Sequence, residues 1–236
     1  MPTPIISVAR RSATPLALLA LILVTWACKE KTPPPTKSET TTAAPAAPVT
    51  APAAPTAVNA PDSFRVAFAT SRGPFVVAVT RAWSPKGADR FYELVKTGYF
   101  TDVRFFRVIP GFVAQFGMHG DPKTNDKWKE RTIPDDPVVQ SNKKGTIVFA
   151  TRGPDTRSNQ FFINLADNAS LDRQGFSAFG RVVSGMSVVE NIYSGYGETP
   201  EQERIASAGN AYLTKQFPKL DYIKAAKVVG EKTKAP

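Results

Sequence analysis

Residues 105–117 read FFRVIPGFVAQFG, and this stretch decides the fold. Its aromatic and β-branched residues predict two short strands, over residues 103–108 and 111–116. Arg107 lies in the first of these strands, among the apolar residues Phe105, Phe106 and Val108. Because a charged side chain is costly in such a strand unless it is paired or functional, the pattern marks Arg107 either as a functional residue or as one half of a structural ion pair.

The sequence on both sides of this stretch predicts more short strands. Upstream, large apolar residues alternate with polar or small ones over residues 64–69, a Ser-Arg-Gly-Pro turn follows, and residues 75–80 complete a hairpin. Downstream, further strands are predicted over residues 146–151, 160–165, 178–183 and 222–229.

Two substantial helices are predicted among these strands. Ser84 and Pro85 supply an N-cap and a first helical residue, and Gly98 supplies the end of that helix. The second helix covers residues 186–193 and stops at Gly195. Many short strands with two helices favour a closed antiparallel barrel plugged by the helices, although periodicity alone does not distinguish this barrel from a sandwich.

Three further segments extend the pattern of residues 105–117. GPDT occupies residues 153–156, QFFIN residues 160–164 and FSAFGRVVSGM residues 176–186. Taken in order, the four segments follow F-x-R-[VI]-I-P-G-F-x-x-Q-x-G, G-P-x-T, Q-F-F-I and F-G-[RK]-V-x-x-G-M. In these segments the chain resembles the cyclophilin-type peptidyl-prolyl cis/trans isomerases, and the likeness covers residues 62–230.

The resemblance implies a mainly β fold, in which a closed eight-stranded antiparallel barrel is capped by two α-helices and binds substrate on its outer face. It implies that residues 62–230 isomerise X-Pro bonds without a cofactor. Arg107 matches the family's catalytic residue. The positions that match the family's substrate-binding residues are Phe112, Val113, Gln115, Thr151, Phe162, Leu171 and Phe176.

The chemistry of Arg107 suits this reaction. Rotation about an amide bond is resisted by about 18–20 kcal/mol, because the C–N bond has partial double-bond character. In the twisted transition state the prolyl nitrogen regains its lone pair, and a donor that meets this lone pair stabilises the twisted form over both planar forms. A guanidinium is permanently charged and rich in donors, so no proton transfer is needed.

A second function is compatible with the same residues. A cyclophilin-like domain with little turnover would hold proline-containing segments of an envelope protein as a binding module. The two hypotheses differ in whether Arg107 accelerates rotation, and the complete signature favours the enzyme.

The composition excludes several other classes of protein. The chain has one cysteine, Cys28, and one histidine, His119, so neither an internal disulfide nor an ordinary Cys/His metal site is expected. The net charge is +10, but the cationic residues are scattered singly, and we expect no nucleic-acid partner. Proline-containing peptides and unfolded proteins are the expected partners, and a monomer is expected.

The N-terminus predicts export. Arg10 and Arg11 precede the apolar run LALLALILV, which is about half of the roughly 20 residues that span a bilayer as a helix. Ala27 and Cys28 follow this run, as in bacterial lipoprotein signals. We therefore expect a signal peptide over residues 1–27 and a lipid anchor at Cys28. A signal peptide cut elsewhere and an uncleaved anchor helix are the alternatives.

The residues after the anchor predict a spacer. Residues 28–61 are rich in Pro, Ala and Thr with little to bury, which is typical of a disordered linker. Residues 231–236 form a short tail. The expected location is the cell envelope, on a membrane and preferentially the periplasmic side of the outer membrane, because Lys29 rather than Asp follows Cys28.

Overall fold

The described part of the chain, residues 58–233 of the computed structural model, is built on one antiparallel sheet of nine strands. The predicted signal peptide, Cys28 and nearly all of the predicted linker lie outside these residues, as do residues 234–236 of the tail. The strands are β1 (Ser63–Thr70), β2 (Pro74–Thr80), β3 (Val103–Arg104), β4 (Arg107–Ile109), β5 (Val113–Phe116), β6 (Thr146–Phe149), β7 (Phe161–Asn164), β8 (Ala178–Ser184) and β9 (Tyr222–Lys232).

The strand order is β3-β9-β1-β2-β8-β6-β7-β5-β4, and it confirms the mainly β, antiparallel part of the prediction. The closed eight-stranded barrel is not confirmed, because the sheet has nine strands and ends at β3 and β4. The edge strands β3 and β4 were predicted as one strand over residues 103–108. The predicted strand is divided because its two halves have different partners. The amide of Phe105 donates to the carbonyl of Asp221 at 3.0 Å, whereas the amide of Val108 donates to the carbonyl of Gly197, in a loop, at 3.0 Å.

The described residues contain four α-helices, not the two that were predicted. They are α1 (Pro85–Lys96), α2 (Pro122–Lys129), α3 (Met186–Glu190) and α4 (Gln202–Gln216). The predicted helices correspond to α1 and to the shorter α3. Helix α2 was not predicted because it buries only Asn125 and Trp128 and so has no apolar face. Helix α4 was not predicted because Gly209, with φ 55°, interrupts its helical periodicity.

None of the helices within residues 58–233 combines the length and apolar character that crossing a membrane requires.

The core lies between the concave side of the sheet and α1. Helix α1 buries Ala88, Phe91, Leu94 and Val95, one apolar face at helical spacing. Aromatic rings fill the space above it, and Phe91 packs on Phe161 and Phe179 with ring centres 5.5 and 5.0 Å apart. This packing leaves the convex side of the sheet available for other contacts.

A buried ion pair ties the start of α1 to the loops beside the sheet. Arg157 Nη2 lies 3.0 Å from Asp136 Oδ2, and the two side chains are only 3% and 4% exposed. Burial alone would raise the pKa of Asp136. Hydrogen bonds from the Ser84 hydroxyl and the Gly87 amide, together with the charge of Arg157, outweigh burial and hold that pKa below its ordinary value.

We predict that Asp136→Asn lowers the free energy of unfolding by about 3 kcal/mol, because it removes the buried counter-charge of Arg157. Only Asp135, which is 38% exposed and lies 3.1 Å from Arg157 Nε, then remains as an acidic partner. Since the pKa of Asp136 is depressed in the folded state, the stability it contributes is present above its unfolded pKa of about 3.9. That contribution is lost as the pH falls through the folded pKa.

Urea unfolding between neutral and acidic pH measures this effect. The wild type should lose stability on acidification more steeply than Asp136→Asn. Asp126→Asn, which removes a 54% exposed carboxylate that pairs with Lys129, is the control and should cost much less. Equal losses in the two variants would contradict the role given to the buried pair.

Candidate functional site

The candidate site lies where β4, β5 and β7 pair. Arg107 stands opposite Gln115, and Gln115 stands opposite Phe162. Side chains directly opposite one another lie on the same face of a sheet, so these three form one row. The neighbouring pair, Val108 and Ala114, points the other way into the main core. The register therefore brings three of the predicted site residues together on the convex face.

Two hydrogen bonds hold the Arg107 guanidinium. Its Nε donates to Glu198 Oε2 at 3.0 Å, and its Nη1 donates to Gln115 Oε1 at 3.3 Å. The guanidinium carbon lies 5.8 Å from the centre of the Phe112 ring. No partner for Nη2 is found within residues 58–233, so this nitrogen of the guanidinium is free to donate to a ligand. Arg107 is 25% exposed and faces outward rather than into the core.

The sequence left open a structural ion pair for Arg107, and the structure does contain a pair with Glu198. Glu198 is 68% exposed, so its interaction with Arg107 is weak and does not offset a buried charge. The geometry of this pair favours orientation of the guanidinium over stabilisation of the fold.

Gln115 is fixed from its other end. Its side chain is almost fully buried, and its Nε2 donates to Gln160 Oε1 at 3.0 Å. With its amide nitrogen occupied by Gln160, Gln115 turns its carbonyl oxygen toward Arg107. Gln160 was quoted in the sequence pattern but was not predicted as a site residue.

The apolar residues of the predicted site form one cluster beside this row. It is separate from the main core and contains Val113, Phe162 and Leu171, with Phe112 and Phe176 packed against it. The rings of Phe162 and Phe176 meet edge to face with their centres 5.6 Å apart. Leu171 comes from a short 3₁₀ helix, Ala169–Gln174, that ends at Gly175 in the left-handed conformation. All five predicted apolar residues thus lie together.

Thr151 lies farther along the same surface. Its hydroxyl bonds to the carbonyl of Gly153 and lies 2.7 Å from the hydroxyl of Thr156, so the side chain shapes a turn. Thr151, Gln115 and Gln160 line one side of a groove of about 770 Å³. Residues of α2 and α4 line the other side.

A segment that sequence reasoning missed completes the site. Tyr196, α4 and the residues that follow it pack around Phe106 in a second small core. The hydrogen bond between Gly197 and Val108 places the next residue, Glu198, beside Arg107. Glu198 lies 91 positions from Arg107 in a polar stretch without periodicity, so no local signal marked it.

Within residues 58–233, no group of three or more His, Cys, Asp or Glu side chains is placed to hold a metal ion.

Known proteins resemble this chain over most of its described residues. The family model described as cyclophilin type peptidyl-prolyl cis-trans isomerase/CLD matches residues 65–210. The chain is 34% identical over 145 residues to "Peptidyl-prolyl cis-trans isomerase-like 1" of Aspergillus niger, a match that covers 59% of this chain and 86% of that protein. It is 36% identical over 147 residues to "Peptidyl-prolyl cis-trans isomerase A" of Dickeya dadantii, covering 58% and 74% respectively.

Solved structures show the same fold. The crystal structure of a cyclophilin type peptidyl-prolyl cis-trans isomerase from Cryptosporidium parvum aligns with a TM-score of 0.55 at 22% identity, covering 72% of this chain and 99% of that one. A second crystal structure of that protein, determined in the presence of the dipeptide Ala-Pro, gives a TM-score of 0.54 and covers 71% of this chain and 99% of that one, at 22% identity.

Proposed function

Since this chain belongs to the cyclophilin-type peptidyl-prolyl cis-trans isomerase family and is an enzyme of that class, we propose that Arg107 is its catalytic donor. The observation that carries the proposal is the open Nη2 of a guanidinium held beside an apolar pocket on one sheet face. The X-Pro bond of the substrate would lie between Arg107 and the pocket formed by Phe112, Val113, Phe162, Leu171 and Phe176.

The proposed mechanism is stabilisation of the twisted amide. The apolar pocket holds the proline ring while the preceding residue rotates about the C–N bond. As the bond loses its planarity, the prolyl nitrogen gains a lone pair that the guanidinium of Arg107 can meet. The apolar surroundings weaken dielectric screening, which strengthens this contact in the transition state. No proton changes place, so the reaction needs no general base.

Gln115 and Thr151 extend the proposed site along the peptide. The second N–H of the Gln115 amide, whose first N–H is donated to Gln160, would donate to a substrate carbonyl. The backbone at Thr151 would pair with the extended peptide. The groove beside both residues has room for the residues that precede proline. The structure of the Cryptosporidium parvum protein determined in the presence of Ala-Pro supports a proline-containing peptide as the ligand of this fold.

We predict that Arg107→Ala lowers kcat/KM by about 10²–10³, as the loss of one preorganised transition-state donor commonly does, while peptide affinity changes little. A protease-coupled assay on an X-Pro peptide measures the rate, and calorimetric titration measures the affinity. Arg65→Ala, which removes an exposed guanidinium from β1, is the control.

The same assay decides between catalysis and holding. A wild-type chain that binds the peptide without accelerating its isomerisation would favour the binding module. An Arg107→Ala variant with an unchanged rate would remove Arg107 from the mechanism.

Glu198 is proposed as a positioning residue that acts through Arg107. Without its contact to Nε, the guanidinium keeps only Gln115 as a hydrogen-bond partner and samples more orientations. We predict that Glu198→Ala lowers kcat/KM by about 2- to 5-fold, a range set by the modest strength of an exposed ion pair. Glu198→Gln keeps an acceptor oxygen and should restore most of this loss.

A double-mutant cycle separates this role from a structural one. Glu198→Ala should have no further effect on kcat/KM in the Arg107→Ala background. A structural defect would instead lower kcat/KM by the same factor in the wild-type and Arg107→Ala backgrounds. Glu203→Ala is the charge-matched control, because Glu203 lines the same small cavity beside Arg107 and has no hydrogen bond to it among the described residues. Equal effects of the two single variants would refute positioning by Glu198.

The location of the enzyme is also a proposal. The apolar run and Cys28 support an exported lipoprotein that acts on unfolded or newly secreted proteins of the cell envelope. Uncatalysed isomerisation takes tens to hundreds of seconds, so a catalyst in that compartment would relieve a slow folding step. The monomeric state stays a prediction.

We predict that cells expressing the full chain incorporate radiolabelled palmitate into it, and that Cys28→Ala abolishes the label. When the same cells are fractionated, the Cys28→Ala variant should be found in the soluble fraction if its signal peptide is cleaved. A Cys28→Ala chain that is still labelled would rule out Cys28 as the anchor.

A further inference from the structure

The convex face formed by β9, β1, β2 and β8 carries an excess of cations. We call this surface the basic face and define it by its five exposed cationic residues: Arg65, Arg181, Lys224, Lys227 and Lys232. No side chain among residues 58–233 forms an ion pair or hydrogen bond with any of the five. Their charge is therefore available to a partner.

The register shows that these cations share one side of the sheet. Arg65 stands opposite Ala78, and Ala78 stands opposite Arg181. Lys227 stands opposite Ala67. Because the residues between the cations are mostly small, the cationic side chains rise above a low surface.

Carboxylates are missing from this side of the four strands. Glu231 is the only acidic residue in them. It stands opposite the buried Phe64, and its Oε1 accepts a hydrogen bond from the Tyr92 hydroxyl on α1 at 2.8 Å. Glu231 is thus directed to the other side of the sheet and does not neutralise the basic face.

Three β-bulges add to this surface. Lys224 and Val229 in β9 and Val183 in β8 have no residue opposite them in the neighbouring strand, so each is the extra residue of a bulge. Val183 is 47% exposed and Val229 is 59% exposed, and only two other large hydrophobic residues within 58–233 are comparably exposed. The basic face therefore presents apolar side chains among its cations.

From this combination we propose that the basic face docks onto an anionic phospholipid surface. Lys and Arg side chains are attracted to anionic headgroups, and neighbouring apolar side chains enter the headgroup region. A low, broad surface suits a planar partner better than a peptide. The inference builds on the proposed membrane tether, because β1 receives the chain from the N-terminal side at Ser63, which pairs with Lys232 at the margin of the basic face.

Docking would leave the catalytic site free. Arg107 lies on β4 and Phe162 on β7, and β6 separates β7 from β8, the nearest strand of the basic face. A bilayer that contacts the basic face mainly through β9, β1 and β2 would therefore leave the groove open to client proteins.

Vesicle binding tests the proposal with the full chain, in which Cys28→Ala is present throughout so that no lipid anchor contributes. Vesicles of phosphatidylcholine are compared with vesicles that contain about one third phosphatidylglycerol. The partition coefficient on the anionic vesicles should fall about 10-fold or more in the Arg65→Gln, Lys227→Gln double variant. The matched control is Lys123→Gln with Lys127→Gln on α2, which removes the same charge from another exposed surface and should change binding by less than about 2-fold.

The apolar contribution is tested separately. Val183→Ser with Val229→Ser should remove the part of the binding that persists at high salt, because salt screens the charges and not the valines. Both pairs of variants should keep wild-type isomerase activity on a short X-Pro peptide. This readout separates failure of the docking proposal from failure of the proposed function.

Three results would overturn the proposal. The first is equal binding of the Cys28→Ala chain to neutral and anionic vesicles, and the second is an equal loss of binding in the Arg65→Gln, Lys227→Gln variant and in the Lys123→Gln, Lys127→Gln control. The third is a preference for RNA over vesicles that the Arg65→Gln, Lys227→Gln variant abolishes. The last result would assign the basic face to nucleic acid.

Discussion

The pairing of β4 with β5 is the constraint on which the rest of the site depends. It aligns Arg107 with Gln115 across the ladder, and the next pairing aligns Gln115 with Phe162. A slip of one residue would turn Arg107 into the core and bring Val108 to the surface. The packing of the two strands opposes such a slip, because Val108 and Ala114 would leave the main core. The hydrophobic core thus holds the reactive guanidinium in place without contacting it.

Much of the site could be predicted from the sequence because its signal is local. The apolar pocket residues, Arg107 and Gln115 lie in short segments whose order and spacing are distinctive. The structure brings them together on one face. The strand pattern also predicted most of the sheet, since alternation of apolar residues follows directly from burial on one side.

Other parts could not be predicted because they depend on contacts between distant residues. The strand over residues 103–108 divides because Phe105 and Val108 bond to residues far along the chain. Helix α2 has no apolar stripe, and the glycine within α4 hides its period. Glu198 and Gln160 became recognisable only once the fold placed them beside Arg107 and Gln115. A polar residue that acts by touching another side chain leaves no periodic trace in a single sequence.

The two adjacent phenylalanines before Arg107 belong to different hydrophobic clusters. Phe105 packs in the main core, and Phe106 packs with α4 in the small second core. The backbone that carries the arginine is therefore held between two separate hydrophobic clusters. Remodelling the α4 segment would alter the surroundings of the arginine without disturbing the sheet. A change in the α4 segment can thus alter what Arg107 meets at the surface while the sheet keeps its register.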